Sequence, residues 1–393
     1  MGGNGMSEWK KVKLGELYEV HNGLSKGRQF FGKGFPFLTF SNVFNNWFLP
    51  KQLDSLVQTT DKEREACSIK KGDVFITRTS ETMDELGMSS VALKDYPNAT
   101  YNGFTKRLRP ITDRVNPMFI GYYLRTPKFR GQFMAFSTMT TRASLANNDL
   151  LNMIVEIPSM ETQHRISTIL SRYDSLIENY HKQIKLLEEA AQRLYKEWFV
   201  DLRFPGYENT PVVDGVPEGW EEKSIMDVFN FKYGKILPTK DFVKEGTIPV
   251  YGASKIIGRY TKANCFEPKV LIGSRGNAGF VHRTIENETY VTNNSFIVET
   301  TKEYNHIRLP YIYESFKIMD FVAICTGAAQ PQLTLNSLSS LKYTVPTKDL
   351  IEKYCDISVN YYTKIAMLNK QLRLLSEARD RLLPKLMSGE IEV

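Results

Sequence analysis

The stretch "HKQIKLLEEAAQRLYKEWF" at residues 181–199 is matched by "NKQLRLLSEARDRLLPKLM" at residues 369–387, with a constant offset of 188. The same offset already relates Leu145 to Leu333, so the correspondence covers more than fifty residues without a gap. A second match links "EWKKVKLGELYEVHNG" from Glu8 with "GWEEKSIMDVFNFKYG" from Gly219. A repeat of this length predicts a chain that is built twice from one unit.

The repeated stretch has the pattern of a long helix. Apolar residues from Leu170 to Trp198 are spaced alternately by three and four, as in a coiled-coil seam, and neither Gly nor Pro interrupts them. A helix over residues 161–199 would be roughly 55–60 Å long, which exceeds a small domain. The second copy repeats the seam, except that Arg379 stands where the first has Ala191.

We predict that the two helices pair as an antiparallel coiled coil, because pairing buries both apolar stripes. This arrangement would place the intervening domains at opposite ends, related by a pseudo-two-fold axis. The alternative is that each helix packs only on its own domain. The residues predicted to form the seam are Ile177, Ile184, Leu187, Leu194, Ile365, Leu372, Leu375 and Leu382.

The predicted fold class is α+β, with two mixed α/β domains alternating with the two long helices. The domains cover residues 7–158 and 217–346, and the helical segments cover residues 159–204 and 347–390. "GDVFIT" at Gly72–Thr77 and "KVLIGS" at Lys269–Ser274 predict buried strands that run into polar loops. The next strand of each copy is predicted to begin at Thr100 and at Thr289, and Leu309–Phe321 is predicted to be an amphipathic helix.

The loops after these strands are candidate ligand-binding segments. The first copy has Arg78, Thr79 and Ser80, and the second has "SRGNAG" with Arg275 and Asn277. Glycine lets a backbone come close to a phosphate or a base edge, and Arg and Asn supply hydrogen bonds to either. A tight turn carrying a solvated arginine is the alternative interpretation.

A later segment differs between the copies in an informative way. "TGAAQPQLT" at residues 326–334 carries Gln330 and Gln332, whereas the first copy has Arg142 at the position of Gln330. Gln and Arg make bidentate hydrogen bonds to adenine and guanine respectively, so this exchange is what two different base preferences would produce. A turn that leads into a helix and is held by side-chain amides is the alternative.

Composition favours a soluble protein with an anionic partner. The net charge is +7; residues 8–158 hold 21 basic against 15 acidic residues, and residues 217–346 hold 15 against 13. A basic face rather than a large net charge is what phosphate contacts require. The four cysteines lack C-x-x-C spacing, so a reducing cytoplasm is the simplest setting.

Motifs of catalysis are missing from the sequence. It has no G-x-x-x-x-G-K-[ST] loop for ATP, no dinucleotide fingerprint and no Asp/Asn-Pro-Pro-aromatic motif. The five histidines are far apart and none belongs to an H-E-x-x-H motif, and no metal site is predicted. We therefore expect a binding protein rather than an enzyme.

Several local sequences, in their order along the chain, resemble those of the specificity subunits of type I restriction–modification enzymes. They are "LYKEWFVDLRFPG" (194–206), "VPEGWEEKSIMDVF" (216–229), "YGASKIIGRY" (251–260), "GSRGNAG" (273–279), "GAAQPQLTLNSLSSLKYTVP" (327–346) and "RLLPKLMSGEIEV" (381–393). The resemblance extends over essentially the whole chain from Trp9. The first domain departs from the glycine-rich pattern, with "TRTSETMDELG" at residues 77–87.

The resemblance implies that each domain reads one half of a split double-stranded DNA target, while the helix pair sets the spacer. It also implies two methyltransferase and two restriction subunits as partners, which would bind the S-adenosylmethionine, ATP and Mg²⁺. The candidate DNA-contacting residues are Arg78, Thr79, Ser80, Lys106, Arg142, Lys255, Arg275, Asn277, Asn294, Gln330 and Gln332.

Two alternatives remain open at this point. One is the recognition part of a type II restriction–methylation enzyme, which would need a methyltransferase motif in the same polypeptide. The other is a structural helical rod whose globular ends bind proteins and which would show no sequence-dependent retention of DNA.

Overall fold

A computed structural model describes residues 9–80, 86–136, 143–327 and 329–393 of the chain, and for residues 79–80, 134–136 and 143–144 it describes the backbone alone. The contacts divide the chain into two compact units. The first consists of Met1–Ile177 with Leu374–Val393, and the second of Glu178–Arg373. Each unit therefore contains one globular domain and a part of each long helix.

The globular part of the first unit is built from short strands and short helices. Its strands are β1 (Lys10–Lys13), β2 (Tyr18–Asn22), β3 (Phe31–Leu38), β4 (Leu56–Val57), β5 (Val74–Thr77), β6 (Thr79–Ser80), β7 (Ser89–Val91), β8 (Thr100–Tyr101), β9 (Thr105–Pro110), β10 (Ala143–Ser144) and β11 (Ile154–Ile157). Its helices are α1 (Phe40–Asn45), α2 (Asp61–Ala66), α3 (Pro117–Tyr123), α4 (Pro127–Phe136) and α5 (Asn147–Asn152). The first long helix, α6 (Met160–Tyr195), follows.

Within the described residues of the first unit, the strands form two sheets and two isolated pairs. The larger sheet is antiparallel with the order β2-β9-β5-β7, and the smaller has the order β4-β3-β8, with β3 and β8 parallel. Strand β1 pairs with β11 and β6 pairs with β10. All four residues of β5 are buried, as expected for an apolar strand that is covered on both faces.

The second unit repeats this topology. Its strands are β12 (Val212–Val213), β13 (Val216–Pro217), β14 (Glu221–Ser224), β15 (Phe229–Tyr233), β16 (Ile248–Tyr251), β17 (Ile256–Tyr260), β18 (Val270–Gly273), β19 (Val281–Arg283), β20 (Tyr290–Val291), β21 (Ser295–Thr300) and β22 (Lys342–Val345). Its helices are α7 (Ile225–Val228), α8 (Leu309–Lys317), α9 (Leu335–Ser339) and the second long helix, α10 (Lys348–Ser388).

Strand order confirms the internal repeat. The larger sheet of the second unit runs β15-β21-β18-β19, the smaller runs β17-β16-β20, and β14 pairs with β22 as β1 does with β11. The parallel pair of the smaller sheet, β16 with β20, is also reproduced. The two copies of the sequence repeat therefore share one strand arrangement, which consists of the larger sheet, the smaller sheet and the closing strand pair; this shared arrangement is called the frame.

Three of the predicted elements, two strands and one helix, were longer than those in the structure. The strand predicted from Thr100 is two strands, β8 and β9, which belong to different sheets, and β20 and β21 are divided in the same way. The prediction missed the turns at residues 102–104 and 292–294, where the chain passes from one sheet to the other. Helix α8 ends at Lys317 rather than at Phe321.

The long helices run antiparallel in the part that each unit contains. In the first unit, Leu170 of α6 lies in the same core cluster as Leu383 of α10, and four residues later Asp174 pairs with Arg379. In the second unit, the carboxyl end of α6 packs on the amino-terminal part of α10, where the Tyr195 and Tyr354 rings lie 5.8 Å apart. The pairing predicted from the heptad pattern is confirmed.

Helix α6 ends at Tyr195 and continues as a π-helical turn over Lys196–Val200, so the predicted limit at 199 falls inside that turn.

Arg379, which interrupts the apolar seam, has charged and aromatic partners. Its guanidinium lies 2.8 Å from the Asp174 carboxylate and over the Trp47 ring, and the Tyr122 hydroxyl donates to the other oxygen of Asp174 at 2.5 Å. A half-buried charge is tolerated when it is paired and hydrogen-bonded in this way. The exception in the pattern is therefore a polar link from α6 to α10 and the first domain.

The predicted seam residues differ in burial. Ile365 and Leu372 are buried, whereas Ile177, Ile184, Leu187, Leu194, Leu375 and Leu382 are half-buried. Leu382 packs against the core of the first unit and Leu194 against that of the second. Their individual roles in helix pairing remain predictions.

His282 on β19 gives the second unit a pH-dependent stability. Burial lowers its pKa to about 4, and among the described residues its Nε2 has no hydrogen-bond partner. The unfolded chain binds the proton near pH 6.5. The free energy of unfolding should therefore be unaffected above pH 6.5 and fall as the pH decreases from 6.5 to 4, by up to about 3 kcal/mol.

Unfolding of the wild type and of His282→Phe, followed between pH 7 and pH 4.5, tests this expectation. The variant should lose less stability on acidification, while His164→Leu at an exposed position of α6 should follow the wild type. Equal slopes for wild type and His282→Phe would show that His282 does not contribute.

Candidate DNA-binding interface

In the second unit, three separate segments meet where β18 ends. The Asn294 carbonyl accepts hydrogen bonds from the backbone amides of Ser274, at 2.7 Å, and of Arg275, at 3.3 Å. The Leu333 amide donates to the Ser274 carbonyl at 3.0 Å, and Arg275 forms a β-bridge with Gln332. The backbone thus fixes the position of side chains from three distant stretches of sequence.

Glycines give the loop after β18 its shape. A Cβ atom on Gly273 would overlap the carbonyl oxygen of Asn277 and come within 2.8 Å of that of Ala253. Gly276 and Gly279 have φ of +78° and +82°, in the left-handed region that favours glycine. The loop therefore turns back closely on itself and leaves Arg275 and Asn277 exposed.

The remaining candidates of the second domain lie in loops next to this one. Thr326 and Gln332 exchange backbone hydrogen bonds of 2.9 and 2.8 Å, and Gln330, two residues before Gln332, is exposed. Lys255 lies in the exposed turn between β16 and β17, two residues after Ala253, whose carbonyl oxygen faces Gly273. The backbone contacts therefore place Arg275, Asn294 and Gln332 together at one end of the larger sheet, with Asn277 in the same loop as Arg275.

The corresponding place in the first unit has the same backbone connections. The Arg78 amide donates to the Phe104 carbonyl at 3.1 Å, and the Leu145 amide donates to the Arg78 carbonyl at 3.2 Å. Strand β6, with Thr79 and Ser80, pairs with β10 as Arg275 pairs with Gln332. Arg142 lies outside the described residues. Arg78 is half-buried, and its Nε is without a hydrogen-bond partner among the residues that the structure describes.

Lys106 requires a correction. It is only 5% exposed, and its ammonium group donates to the Asn147 side chain beneath the loop. Burial lowers its pKa, and the nearby Arg78 guanidinium lowers it further. A lysine held in this way does not face a ligand, so the structure does not support direct contact with DNA. The first four residues of β9, Thr105 to Leu108, are all buried, so Lys106 lies in a part of the strand that is covered on both faces.

Sequence reasoning also missed a side chain at this place. Phe104 is 57% exposed, in the turn between β8 and β9. The available signal was the Asn102–Gly103 dipeptide, which is typical of a turn and argues against the single strand that was predicted.

Among the residues that the structure describes, no group of three or more His, Cys, Asp or Glu side chains is placed to hold a metal ion. The cysteines are free thiols, of which Cys67, Cys265 and Cys355 are buried. None of the helices in the described part of the chain is long and apolar enough to cross a membrane.

Comparison with known proteins gives the family. Residues 6–189 and 217–374 match the family described as "Type I restriction modification DNA specificity domain". These matches cover most of the chain and both copies of the repeat. The chain belongs to this family, whose members are DNA-recognition subunits and not catalysts.

Individual relatives agree over nearly the full length. The chain is 24% identical to the type I restriction enzyme MjaIX specificity subunit of Methanocaldococcus jannaschii, over 98% of this chain and 94% of the relative. It is 23% identical to the HindI specificity subunit of Haemophilus influenzae, over 98% and 100%. The crystal structure of a type I restriction–modification S subunit from M. genitalium superposes with a TM-score of 0.60 at 18% identity, over 98% of both chains, and so has the same fold.

Proposed function

We propose that this protein specifies the DNA target of a type I restriction–modification complex, and that each globular domain binds one half of a bipartite sequence. The observation that carries the proposal is the recurrence of one loop cluster in both units. In the first unit, backbone hydrogen bonds connect the loop after β5 to the turn before β9 and to the segment before α5. In the second unit, they connect the loop after β18 to the turn before β21 and to the segment before α9. The frame is shared, whereas the exposed side chains differ.

The chemistry of the second cluster suits the edges of bases. Arg275 and Asn277 are exposed on a loop whose glycines permit close approach, and Gln330 is exposed in the neighbouring segment. Arg pairs bidentately with guanine, and Asn or Gln with adenine. In the first domain, Arg78 and the segment carrying Thr79 and Ser80 hold the equivalent place.

The long helices supply the second half of the proposed function. They would fix the distance between the two half-sites and dock the methyltransferase subunits, of which we propose two, with two restriction subunits completing the complex. S-adenosylmethionine, ATP and Mg²⁺ would be bound by those partners. The protein would act in the cytoplasm, where the DNA is.

Long-read methylation sequencing of a host that carries this chain and its methyltransferase subunit tests the proposal. The expected result is one split motif, two short specified sequences separated by a spacer of fixed length, methylated on both strands. A continuous motif, or methyl transfer by the purified chain alone, would contradict it. So would DNA binding without any dependence on sequence, which the rod interpretation predicts.

A further inference from the structure

Phe104 of the first domain and Asn294 of the second occupy the same place in the frame. The Phe104 carbonyl accepts from the Arg78 amide, as the Asn294 carbonyl accepts from the Ser274 amide. The preceding residues are also equivalent, because the Gly103 amide donates to Leu24 at 2.9 Å and the Asn293 amide to Lys235 at 3.2 Å. The exposed aromatic ring therefore replaces an exposed amide at one position of the loop cluster.

The exposure of Phe104 is fixed by its turn. Its backbone amide donates to Asn102 Oδ1 at 2.6 Å, which holds the turn between β8 and β9. The neighbouring aromatic rings of Phe75 and Tyr101 are fully buried, with their centroids 5.0 Å apart. An isolated exposed phenylalanine is unremarkable in itself, but the carbonyl of this one accepts the hydrogen bond from the Arg78 amide, so Phe104 belongs to the same loop cluster as Arg78.

We propose that Phe104 is a specificity-determining residue that contacts the 5-methyl group of a thymine in the half-site bound by the first domain. This inference rests on the proposed function. In the major groove every base edge presents hydrogen-bond donors or acceptors, and only thymine adds a methyl group. A phenyl ring against a donor or acceptor would leave that group without a partner, which costs free energy, whereas it can bury the methyl group.

The position then reads different chemistry in the two domains. The amide of Asn294 fits the adenine edge, which presents one acceptor and one donor. The ring of Phe104 fits the thymine methyl. A different side chain at the position shared by Phe104 and Asn294 would therefore change the preferred base while the backbone of the loop cluster stays the same.

The test uses the full chain in complex with its methyltransferase subunits and duplexes that carry the methylated target. Each thymine of the target is replaced in turn by deoxyuridine, which keeps the base pair and removes only the methyl group. Wild-type affinity should fall about fourfold at one thymine, the amount expected for burying one methyl group. Phe104→Ala should bind the thymine duplex more weakly and lose nothing further on the uracil duplex.

Two variants separate base reading from a structural effect. Phe104→Leu should retain part of the sensitivity to the methyl group, since leucine keeps an apolar side chain. Asn294→Ala is the matched control: it should weaken recognition of the other half-site and leave the uracil effect unchanged.

Several results would overturn the inference. One is that Phe104→Ala loses as much affinity as the wild type when thymine is replaced by uracil; another is that the variant binds DNA more weakly but the wild type responds to no thymine methyl group. The inference also fails if the half-site of the first domain contains no thymine, or if Phe104→Ala loses the methyltransferase subunits while its affinity for DNA is unchanged. Failure of the proposed function is a different result, in which the wild-type complex itself binds all duplexes equally.

Discussion

Gly273→Ala should abolish recognition of the half-site bound by the second domain while leaving the domain folded. The added Cβ would meet the backbone oxygens of Asn277 and Ala253, which cannot rotate away as a side chain can. The loop that presents Arg275 and Asn277 must then open. Because a single good bidentate contact is worth about 1–3 kcal/mol, displacement of both side chains should lower specific affinity by roughly a hundredfold or more.

Gly276→Ala in the same loop is the matched control. Its Cβ would have nothing within 4 Å, so only the positive φ of +78° is strained. That strain costs on the order of 1 kcal/mol, and the half-site should still be recognised. Binding of both variants to duplexes altered in one half at a time measures the effect. Equal affinities for Gly273→Ala and the wild type would show that the loop does not read DNA.

The architecture could be predicted from the sequence because the chain contains two copies of the same pattern. The constant offset between the copies and the unbroken seam from Leu170 to Trp198 each appear in one chain without any relative. Burial of an apolar stripe leaves a periodic pattern, so the antiparallel helices could be predicted. Strands β5 and β18, which are mostly apolar and buried at every residue, were predictable for the same reason.

The details of the site depended on contacts that a sequence pattern does not encode. Whether Lys106 faces the solvent or Asn147 is decided by the register of β9 against β5, in which Lys106 is opposite Ile76. Arg379 looked like a defect in the seam because Asp174, its partner, lies 205 residues away. Phe104 was missed because a single strand was predicted from Thr100, whereas the turn at Asn102 places Phe104 at the surface.

In each unit, the first and last strands of the globular domain pair with each other. Strands β14 and β22 pair where the second domain begins and ends, with Glu221 opposite Val345. The first domain is closed in the same way by β1 and β11, with Lys10 opposite Ile157. Each domain thus enters and leaves through neighbouring strands, so residues 217–346 can be replaced as a piece that carries both of its closing strands.

The measurement that tests the central claim most directly is the methylation motif of a chain in which residues 217–346 come from another member of the family. We expect one half of the split motif to change to that of the donor, with the other half and the spacer length retained, because the first domain and both long helices are untouched. A control that returns the original residues 217–346 should restore the original motif. An unchanged motif, or a change in both halves at once, would contradict the assignment of one half-site to each domain.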